Sequence, residues 1–308
     1  MIKESKGTPD LIKSFIKSNN EKIINCIDNY QGSKFSFNSN IDIIINFNES
    51  VEYGGKFNFL EAVNSKFKNC VITINYPKIF DYSRVIKILS HELAHLYELY
   101  QVKDFYSDTK WERSQALVDT KNQDSVDKGI EYFRKIFYLS LPHEINARVS
   151  SLYFYLPKKV EKEKLEEELK KTIEWSNYLN LIDFPVDELF KNLMKSFDND
   201  KRLLYYIINE FNRSMSIKTI INNDNDLYNY LLSSKRYFKS VAKVYKKKML
   251  RVIDSIIEEN KIQENIDIYT TGEHIIVNFK DYLNQGKIER RDYLIDAIIE
   301  NSYQKFFK

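Results

Sequence analysis

A chain of 308 residues and 36.8 kDa has room for one large domain or two moderate ones, each with its own core. Its 43% hydrophobic and 14% aromatic content argues against a disordered chain, and a net charge of only +3 gives no reason to expect nucleic acid as a partner. Two cysteines, Cys26 and Cys70, are too few for a disulfide framework and suit a reducing compartment.

With 7 glycines and 5 prolines, sharp turns should be few and helices long. The N-terminal stretch MIKESKGTPDLIKSFIKSNN has no continuous apolar region, so no signal peptide is expected. No run reaches the roughly 18 apolar residues of a spanning helix, so the expectation is a soluble, cytoplasmic protein with no membrane partner.

Strand signals open the chain. IDIIINF (Ile41 to Phe47) and CVITINY (Cys70 to Tyr76) are short β-branched runs, with YGGKF between them as a turn and candidate further strand. Pro77 ends the second run, and Ser83 can cap the helix that follows, whose stripe is Ile86, Leu89, Leu93, Leu96 and Tyr100. Polar connectors follow, with a short helix around 112–118. A helix from about Val126 to Tyr138 comes next, then one capped at Ser140–Pro142 with a stripe of Ile145, Val149, Leu152 and Leu156. Pro157 breaks it, and a boundary is expected there: a mixed α/β part over 1–157 and a mainly helical part over 158–308. That second part should hold a charged helix over 158–174, amphipathic segments near 189–197 and 203–211, a long helix over 227–259 and a last one over 292–307. Its single strand-like run is HIIVNF (274–279), where His274 is expected to be structural. The basic cluster of Lys235 to Arg251 reads as a solvated face over an apolar stripe of Phe238, Val241, Tyr245, Met249 and Val252.

The chemistry concentrates in RVIKILSHELAHLYELYQ, Arg84 to Gln101. His91-Glu92-Leu93-Ala94-His95 is H-E-x-x-H, and residues four apart on a helix share a face, so two imidazoles can reach one metal ion. Three protein ligands and a water make the catalytic form of a zinc site, with Glu92 placed as general base. The extended pattern ending G-x-x-H would need Gly at 98 and His at 101, where the chain has Glu98 and Gln101. A later glutamate is then the third ligand: Glu112, Glu131 or Glu144. Glu144 is favoured, because it opens a well-signalled helix beside its apolar stripe and suits the positive end of the dipole.

HELAHLYELY followed by FYLSLPHEINARVSSLYFYL resembles phage- and prophage-associated HExxH proteins in which a glutamate in an E-I-x-A helix follows the zinc helix. The resemblance covers mainly residues 85–156. It implies an α+β, gluzincin-like metallopeptidase with Zn2+ held by His91, His95 and Glu144, Glu92 as base, and a peptide or protein substrate. His143 could replace the glutamate or stabilise an oxyanion, and Arg148 could pair with Glu144 or bind a substrate carboxylate. Tyr153 and Tyr155 are further oxyanion-donor candidates. The strand CVITINY is a candidate for pairing with an extended peptide, if it lies at the sheet edge. Two rivals remain: a non-catalytic phage structural or interaction protein on the same scaffold, and a regulatory protease that cleaves a repressor, though no helix-turn-helix is evident.

Overall fold

The computed structural model describes residues 8–38, 41–63, 66–101, 127–158 and 160–269. The expected elements at 112–118, 274–279 and 292–307, together with Glu112 and His274, lie outside that set. Among the described residues the chain is α+β, with one small sheet and many helices.

Two short helices come first, α1 (Thr8–Ser18) and α2 (Asn20–Asp28). Four strands follow: β1 (Ser33–Asn38), β2 (Ile41–Glu49), β3 (Gly54–Val63) and β4 (Lys66–Tyr76). They order as β1-β2-β4-β3. β1–β2 and β3–β4 are antiparallel, and β2–β4 is parallel with Ile43 opposite Cys70 and Phe47 opposite Ile74. The two strands expected from sequence are thus the inner pair, and β1 and β3 are the edges. β4 is interior, so its backbone is already paired on both sides and CVITINY has no free edge to offer.

Strand alternation decides what the sheet buries. Phe35, Ile43, Ile45, Phe47, Cys70, Ile72, Ile74 and Tyr76 are buried on one face, while Asp42, Ile44, Asn46 and Asn48 remain half-buried or exposed on the other. Each fully buried aliphatic side chain here contributes about 1.5–3 kcal/mol. Burial also pushes the Cys70 thiol up to about 12, so it stays a neutral core group. The helix α3 (Tyr82–Gln101) packs on β3 and β4 and against α1. Tyr97 hydroxyl donates to the Leu11 carbonyl at 3.1 Å, tying α3 to α1.

Capping of α3 departs from expectation. The Asp81 carboxylate accepts from the Ser83 amide at 2.9 Å, so Asp81 is the cap and Ser83 is inside the helix. The expected stripe is only part of the buried surface. Val85, Leu89, Leu93 and Leu96 are buried, but so are Ser90, Glu92, Ala94 and His95, while Ile86 is half-buried. A helix covered on more than one side buries polar groups that a surface helix would expose.

Beyond the undescribed segment come α4 (Lys128–Leu139) and α5 (Pro142–Tyr155). Pro142 opens α5 as expected, but Ser140 serves the preceding helix, its hydroxyl donating to the Phe137 carbonyl at 2.7 Å. Ile145, Val149, Leu152 and Leu156 are all buried, the predicted stripe. The charged segment after Pro157 is two helices, α6 (Lys162–Lys170) and α7 (Ile173–Ile182). Thr172 separates them by accepting from the Trp175 amide at 3.2 Å and so capping α7. Then follow α8 (Val186–Ser196), α9 (Lys201–Ser214) and the 46-residue α10 (Asp224–Tyr269). On α10 Phe238, Val241, Tyr245 and Met249 are buried and Val252 is half-buried; Lys239, Lys243, Lys246 and Lys247 are exposed as anticipated, while Lys248 of the same cluster is buried.

The chain gathers into two compact units that interleave in sequence. Of the described residues, one comprises those within 8–101, 146–169 and 249–269, and the other those within 127–145 and 170–248. The second has an aromatic core around Phe133, whose ring lies 4.9 Å from Phe137, 5.8 Å from Phe211 and 5.6 Å from Tyr230. Among the described residues, no helix is long and apolar enough to cross a membrane.

Candidate metal centre

The middle of α3 carries His91 and His95 one turn apart. Their Nε2 atoms approach to 3.1 Å, with the rings nearly perpendicular at 87°. Without an ion, one neutral ring donates to the other. The separation also suits a shared ion, since two nitrogens at zinc-bond length and tetrahedral angle stand about 3.3 Å apart.

Glu144 completes the cluster from the first turn of α5. One ligand atom each from His91, His95 and Glu144 lie within 4.8 Å of one another. His95 is 7% exposed and Glu144 only 2%, with His91 half-buried. A buried carboxylate is costly unless a cation or hydrogen bonds balance it, and two imidazoles with one carboxylate are a donor set that zinc takes readily. The residues present therefore fit a zinc ion.

The other expected residues fall around this cluster. Glu92 is buried at 6% exposure, in the turn of α3 that holds the histidines. His143 is also buried, but it is not one of the three converging donors. Glu131 is exposed on α4 and does not join them. Arg148 sits half-buried one turn beyond Glu144. Tyr153 is committed elsewhere. Its hydroxyl donates to the Glu259 carboxylate, and its ring lies 4.3 Å from Lys13 Nζ and 3.5 Å from Lys158 Nζ. Burial, reinforced by the bond to Glu259, pushes that phenol up to about 12. Tyr155 is 40% exposed and holds Lys87 over its ring at 4.5 Å.

One residue beside the site was missed in the sequence. Gly55, read as part of a turn and candidate further strand, lies in the edge strand β3, where its Cα faces Glu92 and Ile88 of α3. The hint was two of only 7 glycines standing side by side. Comparison with protein-family models, curated proteins and solved structures finds no match to this chain.

Proposed function

We propose that the chain is a zinc-dependent peptidase of the gluzincin type, with His91, His95 and Glu144 as ligands and Glu92 as the proton-transferring residue. The observation that carries this reading is the convergence of those three donors from two helices beside a buried glutamate. A zinc ion held there would lower the pKa of a coordinated water toward neutrality and polarise the scissile carbonyl.

The chain's own residues have distinct tasks in this scheme. Glu92 follows His91 directly and therefore points about 100° around the helix from it. That direction keeps its carboxylate out of the ligand set, where it would take a proton from the attacking water. It then delivers the proton to the leaving amine. His143 and Arg148, on the turns of α5 around Glu144, are candidates to stabilise the oxyanion and to bind a substrate carboxylate.

The substrate would lie along β3. That strand pairs only with β4 among the described residues, so its other edge retains backbone donors and acceptors for an extended peptide. β3 also packs against α3, which brings this edge to the helix that bears Glu92.

Elemental analysis of the purified protein tests the site. About one zinc per chain is expected in the wild type, with binding weakened on the order of a hundredfold or more in His91→Ala and Glu144→Ala. Glu92→Gln should keep its zinc and hydrolyse a quenched-fluorescent peptide library about 10²–10⁴-fold more slowly. A wild type that takes up no zinc sinks the reading. Zinc without any hydrolysis would turn the fold into a binding module.

A further inference from the structure

We infer that Gly55 is the positioning residue for Glu92: the missing side chain at 55 is the space in which the Glu92 carboxylate is held against the edge strand. This inference rests on the peptidase reading for its consequence, but its geometry stands without it.

The glycine is required for room and not for backbone conformation. No glycine among the described residues has a positive φ, so any L-residue could adopt the backbone at 55. What it could not do is fit. Gly55 pairs with Ile74, which is fully buried, so position 55 faces the side of the sheet that α3 covers. A Cβ there would run into Glu92 Oε1 and would stand 2.7 Å from Ile88 Cγ2. Ile88 and Glu92 are one turn apart on α3, so they meet the strand at the same point.

Gly54 supplies the internal control. A Cβ at Gly54 would meet nothing within 4 Å. Of two adjacent glycines in one strand, only one is needed for space, and the space is filled by the glutamate. Gly55 is itself exposed, whereas Glu92 beside it is only 6% exposed. With a side chain at 55, the carboxylate must swing away from the position that a base needs. Displacement of a reacting group by about 1 Å can cost on the order of a hundredfold in rate.

A double-mutant cycle on the full zinc-loaded chain tests this. Gly55→Ala should lower the thermal midpoint by about 3–6 °C. In a Glu92→Ala background the same change should cost less than half as much, the remaining loss being the approach of the new Cβ to Ile88 Cγ2. Gly55→Ala should also lower kcat about a hundredfold on the peptide library, with KM and bound zinc unchanged. Gly54→Ala should show no such loss of thermal midpoint. Additive effects of Gly55→Ala and Glu92→Ala would overturn the inference. So would rescue by Ile88→Ala in place of Glu92→Ala, since the glycine would then serve helix packing. Should Gly55→Ala fail to fold, a folded Gly55→Ala/Glu92→Ala double variant supports the inference, and an unfolded one overturns it. A coupled cycle in a protein that cleaves no peptide would leave the positioning intact and sink the peptidase reading instead.

Discussion

At the scale of single residues, His91, Glu92 and His95 can be named from the sequence because their relation is local: a helix of any tertiary setting puts i and i+4 on one face. Glu144 is of a different kind. Its helix and its place in the first turn are legible, but its approach to the histidines depends on how α5 lies beside α3. Gly55 was not legible as a site residue, because nothing in a strand pattern says which helical side chain will fill the space beside it. Asp224 shows the same dependence on distant partners. It accepts from Lys201 Nζ at 2.8 Å and from the Tyr205 hydroxyl, and these bonds, Lys201 first, hold its carboxyl below the ordinary 3.8. A carboxyl lowered by folding contributes stability above its unfolded value, and that contribution drains away as pH falls through the folded value. The thermal midpoint of Asp224→Asn should therefore lie below that of the wild type at about pH 6 and converge with it only as pH falls below the ordinary 3.8. A difference that stays constant with pH would refute the assignment.

At the scale of elements, helix ends are where sequence reading and structure part company most often. Ser83 and Ser140 are good cap residues in isolation, yet Asp81 captures the end of α3 and Ser140 bonds back into α4. Cap choice is a competition among neighbours worth only about 1 kcal/mol, which local geometry easily reverses. The start of α4 shows the competition won outright. Asp127 accepts from Gly129 N at 2.7 Å and Ile130 N at 3.2 Å. Asp127→Ala should cost about 1 kcal/mol in urea unfolding without changing the slope; an unchanged midpoint would mean the helix start is held by packing instead. Among strands, β2 and β4 are plain in the sequence because both are rich in β-branched residues. β1, SKFSFN, is masked by its serines and lysine, since an edge strand need bury only one face.

At the scale of the whole molecule, each compact unit carries its own apolar core. In the second, Phe133 is 1% exposed among Phe137, Phe184, Phe211 and Tyr230. Phe133→Ala should destabilise by about 3–5 kcal/mol in chemical denaturation, because so many rings cannot all close on the cavity. A loss below about 1 kcal/mol would show that the site collapses or is already loose. The sequence by itself determined the α+β class, the existence of β2 and β4, the helix that aligns His91 with His95 and the stripe of α5, because helix and strand periodicities act over a few residues. Only the tertiary structure decided that β4 is interior and β3 the edge, that Glu144 and not Glu131 meets the histidines, and that Gly55 makes room for Glu92. Those outcomes depend on which distant segments pack together, and no local pattern encodes that pairing; it is settled by the burial of whole faces at once.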